Sequence, residues 1–100
     1  MAFVYVTEYA ALGMGAQGQI PQEPPLAEYR VAVGASSATG PAFQPATRFI
    51  RVHADTICSI DIGPSPATAV ATSNQRFAAN QTEFKAVPGG SYALAAITNS

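Results

Sequence analysis

Residues 47–62 read TRFIRVHADTICSIDI, and this stretch decides the fold class. It holds two short runs rich in β-branched residues, joined by HAD at 53–55. In the first run, 47–53, Ile50 and Val52 alternate against Phe49, Arg51 and His53. In the second, 56–62, Cys58, Ile60 and Ile62 share one face, with Ser59 and Asp61 on the other. A period of two is what a half-buried sheet surface requires. Two such runs with so short a link predict consecutive strands, not a helix.

The same pattern extends outward in both directions. Residues 3–9, 27–33, 75–79, 82–87 and 91–97 give five further strand-like segments. In 27–33, Tyr29, Val31 and Val33 oppose Glu28, Arg30 and Ala32. Eight Pro and eight Gly cut the chain into short pieces, and no apolar 3–4 spacing persists over a helix-length window. The prolines of GPSP, 63–66, cannot donate to a ladder. PGG, 88–90, reads as a hairpin turn between two strands, because glycine accepts a positive φ. The expected fold is all-β: a small antiparallel β-sandwich or jelly-roll-like barrel of about seven short strands. Two Gly/Pro-rich stretches, 10–25 and 34–46, read as long loops, the first as an extended arm.

Composition narrows the function. The 100 residues suit one domain, 1–100, with a single thin core. Five Lys+Arg against six Asp+Glu leave a net charge of −1 and no basic footprint for nucleic acid. A 48% hydrophobic, sparsely charged small domain has surface suited to contact with other proteins. One cysteine allows no intrachain disulfide. The opening MAFVYVTEY lacks the basic and apolar regions of a signal peptide, and no apolar run reaches membrane-spanning length.

Candidate sites were weighed against plainer readings. GMGAQG, 13–18, matches G-x-G-x-x-G after a strand-like run. A dinucleotide loop needs a helix N-terminus after its last glycine, and here Pro21, Pro24 and Pro25 break any helix that would start there. The segment is read as a glycine-permissive loop or arm. His53 and Cys58 could form a nucleophile pair only within hydrogen-bond reach. Cys58 aligns with the core face and is read as a buried structural thiol. One His and one Cys cannot furnish a structural zinc site. Asp55 and Asp61 would need several loop carbonyls to hold a cation, and are read as a turn aspartate and a solvent-facing strand aspartate. Glu8, Glu23, Glu28 and Glu83 show no pairing motif for glycoside hydrolysis. NQT, 80–82, fits a glycosylation sequon and is read as a plain turn. No catalytic residue, cofactor or metal is expected. Arg48, Arg51 and His53, with Met14, Ile20, Pro24 and Pro25 of the arm, are the interface candidates.

The runs TRFIRVHADTICSIDIGPSPATA, 47–69, and QRFAANQTEFKAVPGGSYALAAI, 75–97, resemble a group of small virion-associated proteins of tailed bacteriophages and prophages. MAFVYVTEYA and QEPPLAE, 22–28, are similar to the same group, so the resemblance covers 1–10 and 19–100 in pieces. The shared motifs are structural. They imply a non-enzymatic capsid decoration or cement protein that binds major capsid protein subunits, or a head–tail accessory. They further imply a homo-oligomer, with a trimer suiting threefold lattice positions, located on the phage head after synthesis in the host cytoplasm. Neither nucleic acid nor membrane is an expected partner. The competing expectation is a β-sandwich module for carbohydrate or host-surface recognition, for which exposed aromatics among Tyr5, Tyr9, Tyr29 and Tyr92 would speak.

Overall fold

The computed structural model describes residues 2–10, 12–15, 18–21, 25–71 and 74–99, with 12–15 and 18–21 as backbone. All its regular elements are strands. In chain order they are β1 (Ala2–Tyr9), β2 (Leu12–Gly15), β3 (Gly18–Pro21), β4 (Ala27–Val33), β5 (Ala38–Thr39), β6 (Phe49–Ala54), β7 (Cys58–Pro64), β8 (Gln75–Phe77), β9 (Thr82–Ala86) and β10 (Tyr92–Thr98). Two antiparallel sheets, β4-β1-β6-β9 and β5-β10-β7-β8, pack as a sandwich, while β2 and β3 form a separate hairpin. The hairpin lies inside the stretch read as a structureless loop. Its glycine-rich strands carry no alternation to betray them, and its register runs from Leu12↔Pro21 to Gly15↔Gly18. Among the described residues no helix is long and apolar enough to cross a membrane.

The interior follows the alternation. Val4 and Val6 of β1, Val31 of β4 and Ile50, Val52 and Ala54 of β6 meet Cys58 and Ile60 of β7, Phe77 of β8 and Leu94 and Ala96 of β10. Ile62 and Tyr29 are partly buried against this core. β7 is covered on its other face as well. Ser59, read as facing solvent, is fully buried. The segment after β7 folds back as a strap over the outside of the second sheet, seating Ala67 and Ala69 against Ala95, with Ile97 beside them. Ser59 Oγ donates to Ala71 O at 3.2 Å, and Asn99 Nδ2 donates to Ser59 Oγ at 2.7 Å.

Consecutive strands rarely pair here. β6 and β7 belong to different sheets, so the link at 55–57 is an arch over the sandwich edge. β9 and β10 are also in different sheets, so PGG is a crossing and not the hairpin turn expected from its composition. Its glycines are needed for two other reasons. Gly90 has φ +82°, the left-handed region. Gly89 lies against the 44–47 turn, where an added Cβ would sit 2.5 Å from Pro45 O and 2.9 Å from the Gln44 and Thr47 oxygens.

That turn is held from its other side by a buried glutamate. Glu8 follows Val4 and Val6 on the inward face of β1 and is 1% exposed. Its Oε1 accepts hydrogen bonds from Gln44 N at 2.8 Å and Thr47 Oγ1 at 2.6 Å. Thr47 N closes the turn onto Gln44 O at 3.0 Å, and Gly90 N reaches the same oxygen at 3.3 Å. The carboxyl group thus fixes the point where the chain, after running beside β10, re-enters the first sheet at β6.

Two stability measurements check this account. Glu8→Ala strands a part-buried amide and a buried hydroxyl and should cost about 2–4 kcal/mol in urea unfolding. Gly89→Ala should cost about 1–3 kcal/mol through overpacking. Gly34→Ala should be near neutral, because nothing lies within 4 Å of its added Cβ.

Candidate functional site

The two outer faces of the sandwich differ. The outside of the second sheet is covered by the strap at 65–71. The outside of the first sheet has no such cover among the described residues. Alternation directs Phe3, Tyr5, Thr7 and Tyr9 of β1 to this face, with Glu28 and Arg30 of β4, Phe49, Arg51 and His53 of β6, and Thr82 and Phe84 of β9. The register sets Tyr5 against His53 and Arg51 against Phe84.

The rings form two runs of contacts. Phe3 and Tyr5 lie 6.3 Å apart between centroids, and Tyr5 and His53 6.5 Å. Tyr9 stacks on Phe49 at 5.1 Å, and Phe49 meets Phe84 at 6.4 Å. The Arg30 guanidinium lies 4.0 Å above the Phe3 ring. Tyr5 remains 41% exposed and Phe84 55%, a large apolar presentation for strands with water on one side. A shallow groove of about 340 Å³ runs between β1 and β4, lined by Tyr5, Thr7, Glu28 and Arg30. Two arginines against one carboxylate make the face cationic as well as aromatic. Aromatics and arginine are the residues that dominate binding energy at protein interfaces.

The expected interface residues divide. Arg51 and His53 lie on this face, and His53 Nδ1 is 2.7 Å from Thr82 Oγ1. Arg48 precedes β6 and is exposed, its Nη1 donating to Pro45 O and Thr47 O at 3.4 Å each. Met14 and Ile20 belong to the hairpin strands β2 and β3. Pro25 is partly buried, just before β4, and Pro24 lies outside the described residues. Phe3, Tyr5, Phe49, Phe84 and Arg30 escaped the sequence reading as a group. Strand alternation would have marked them as outward, but only the strand order puts them side by side.

The other candidate residues are placed separately. His53 faces outward from the first sheet while Cys58 faces the core from the second, so no nucleophile–base pair is assembled. Asp55 Oδ1 accepts from Phe3 N at 2.8 Å and ties the arch to β1. Asp61 is half-buried, and its Oδ1 accepts from Asn74 Nδ2 at 3.4 Å. Asn80 of the NQT turn has φ 64°, a conformation asparagine tolerates. Among the described residues no group of three or more His, Cys, Asp or Glu is placed to hold a metal ion. Of the tyrosines named as possible platforms, Tyr5 is exposed, Tyr9 is buried in its stack, and Tyr29 and Tyr92 pack on the core.

The side opening between β8 and β9 is closed by polar groups. Gln75 Nε2 donates to both Glu83 oxygens at 3.0 Å, and Lys85 Nζ donates to Gln75 Oε1 at 2.5 Å. Lys85 is also 3.3 Å from Glu83 Oε1. The Gln75 hydrogen bonds, ahead of Lys85, hold the Glu83 carboxyl below its usual range.

No family model, curated protein or solved structure matches the chain. The geometry therefore carries the functional argument.

Two buried acids set the alkaline behaviour. Burial, with the Asp55 carboxylate second, pushes the Cys58 thiol from 9.0 up to about 11. Burial and then Glu8 raise the Tyr29 hydroxyl well above the usual phenol range. Among the described residues no group meets hydrogen-bond geometry with that buried hydroxyl, so Glu8 acts on it as a nearby acidic group. Both groups are raised in the folded state, so their stabilisation is complete below the unfolded pKa and is lost as pH rises. Urea midpoints should fall as pH climbs from 9.0 towards 11. Cys58→Ala should flatten the start of that fall and Tyr29→Phe the part above about pH 10, where an unfolded tyrosine ionises. At neutral pH the native thiol should resist a thiol reagent that labels the unfolded chain at once.

Proposed function

We propose that this chain is a non-enzymatic structural protein of a tailed-phage virion, a head decoration or cement protein. It docks on major capsid protein subunits through the outer face of the β4-β1-β6-β9 sheet. The observation that carries the reading is the asymmetry of the sandwich: one outer face is closed by the chain's own strap, the other presents a contiguous aromatic and arginine surface. The resemblance of 47–69 and 75–97 to small virion proteins supports the same role. A partner surface with apolar patches and carboxylates complements this face. Repetition on a lattice makes modest single contacts strong in sum. A head–tail accessory position would use the same face.

A glycan is the second reading, favoured by the groove in which exposed Tyr5 stands beside Thr7, Glu28 and Arg30. Binding to a glycan array that Tyr5→Ala abolishes would replace the capsid reading.

Co-sedimentation with capsids that lack this protein tests the proposal. Wild-type protein should bind. Tyr5→Ala and Phe84→Ala should each weaken binding about 10-fold or more, as for ring residues at interface centres. Unfolding free energy should change by no more than about 1 kcal/mol, because both side chains are exposed on the outer face and outside the core. Absence of wild-type binding overturns the role, and undiminished binding by both variants overturns the face.

A further inference from the structure

The sandwich has four sheet edges, and three of them carry protection against pairing with another chain. β5 has two residues and is followed closely by Pro41. β8 has three residues. β9 carries Glu83 and Lys85 turned inward onto Gln75, a device that makes an edge unattractive to a new strand. β4 has none of these. It runs for seven residues without proline, in unbroken register with β1 from Ala2↔Val33 to Glu8↔Ala27.

The direction of its free amides follows from its neighbour. Phe3 N donates to Asp55 Oδ1 and Phe3 O accepts from Asp55 N, so the odd residues of β1 bond towards β6. The even residues, Val4 and Val6, then bond towards β4, where they face Val31 and Tyr29. Glu28, Arg30 and Ala32 consequently point N–H and C=O away from the sheet, and no described segment of the chain bonds to them.

We propose that a second copy of this chain pairs antiparallel along β4, with the twofold axis at Tyr29. The register is chosen by charge. A twofold axis at Arg30 would set arginine against arginine. An axis at Tyr29 sets Glu28 against Arg30 of the second copy, and the symmetry repeats the pair. Both residues lie on the outer face, and both belong to the set with free amides, so each pair exchanges two backbone hydrogen bonds. The same register brings exposed Leu26 opposite exposed Ala32 of the second copy. Arg30 can serve twice, since its flat face rests on Phe3 while its N–H edge remains available to a carboxylate. The result is an isologous dimer with one continuous eight-stranded sheet. It places two aromatic faces side by side, and it stands whether or not the capsid is the partner of that face.

Sedimentation of the purified full chain tests the pairing. Wild type should run at twice the 10.3 kDa chain mass. Glu28→Arg and Arg30→Glu each turn two attractive cross-strand pairs into repulsive ones and should weaken dimerisation about 10-fold or more. The double variant E28R/R30E restores opposite charges and should recover the wild-type dissociation constant within about 3-fold. Circular dichroism of each variant verifies that these exposed substitutions leave the fold intact. In hydrogen exchange the Glu28 and Arg30 amides should gain protection as concentration rises. A wild-type monomer or trimer overturns the proposal. So do single reversals without effect, a double variant that stays dissociated, or exchange at these amides independent of concentration.

Discussion

The fold depends on one buried carboxyl group. Glu8 sits where alternation on β1 calls for an apolar residue, and among the described residues no cation pairs with it. It accepts instead from the Gln44 amide and the Thr47 hydroxyl. Those two donors belong to the turn that carries the chain from the second sheet back to the first. Without the acceptor, the buried hydroxyl and the part-buried amide would be unpaired, and the turn that leads into β6 would lose its anchor. The close approach of Gly89 from the far side leaves the turn no room to move away. A polar group thus sits at the end of a core built mainly from apolar side chains.

This arrangement explains what the sequence made legible and what it concealed. Alternation identified 27–33 residue for residue as a strand and assigned its faces correctly, because one side meets the core and the other meets water. It likewise found the core side of β6 and β7. It could not say which strands are neighbours. PGG between two strands resembles a hairpin in composition, yet the glycines answer to a backbone contact with residues 44–47, far away in sequence. Ser59 looked outward by parity and is outward, but the strap covers it. Glu8 showed no pairing motif, since nothing local shows that its partners arrive 36 and 39 residues later.

The aromatic and arginine face was partly legible for the same reason. Arg51 and His53 were recognisable as the polar side of a strand. Their aromatic company comes from β1 and β9, and it becomes a surface only when the order β4-β1-β6-β9 is known. A sandwich that closes one face with its own chain and leaves the other rich in rings has a built-in polarity. It can lie flat on a partner with one side and meet solvent with the other.

The strap itself has a consequence for how the molecule breathes. Its buried contacts are those of Ala67 and Ala69 on Ala95, side chains that bring little apolar area, whereas the main core joins large residues from both sheets. Its attachments are a few hydrogen bonds through Ser37, Ser59, Asn74 and Asn99. Opening free energy scales with the contacts broken, so the strap should open at a lower cost than the sandwich itself. Such an opening would wet the outer side of β7 and β10 and leave the second sheet, like the first, with an uncovered outer face.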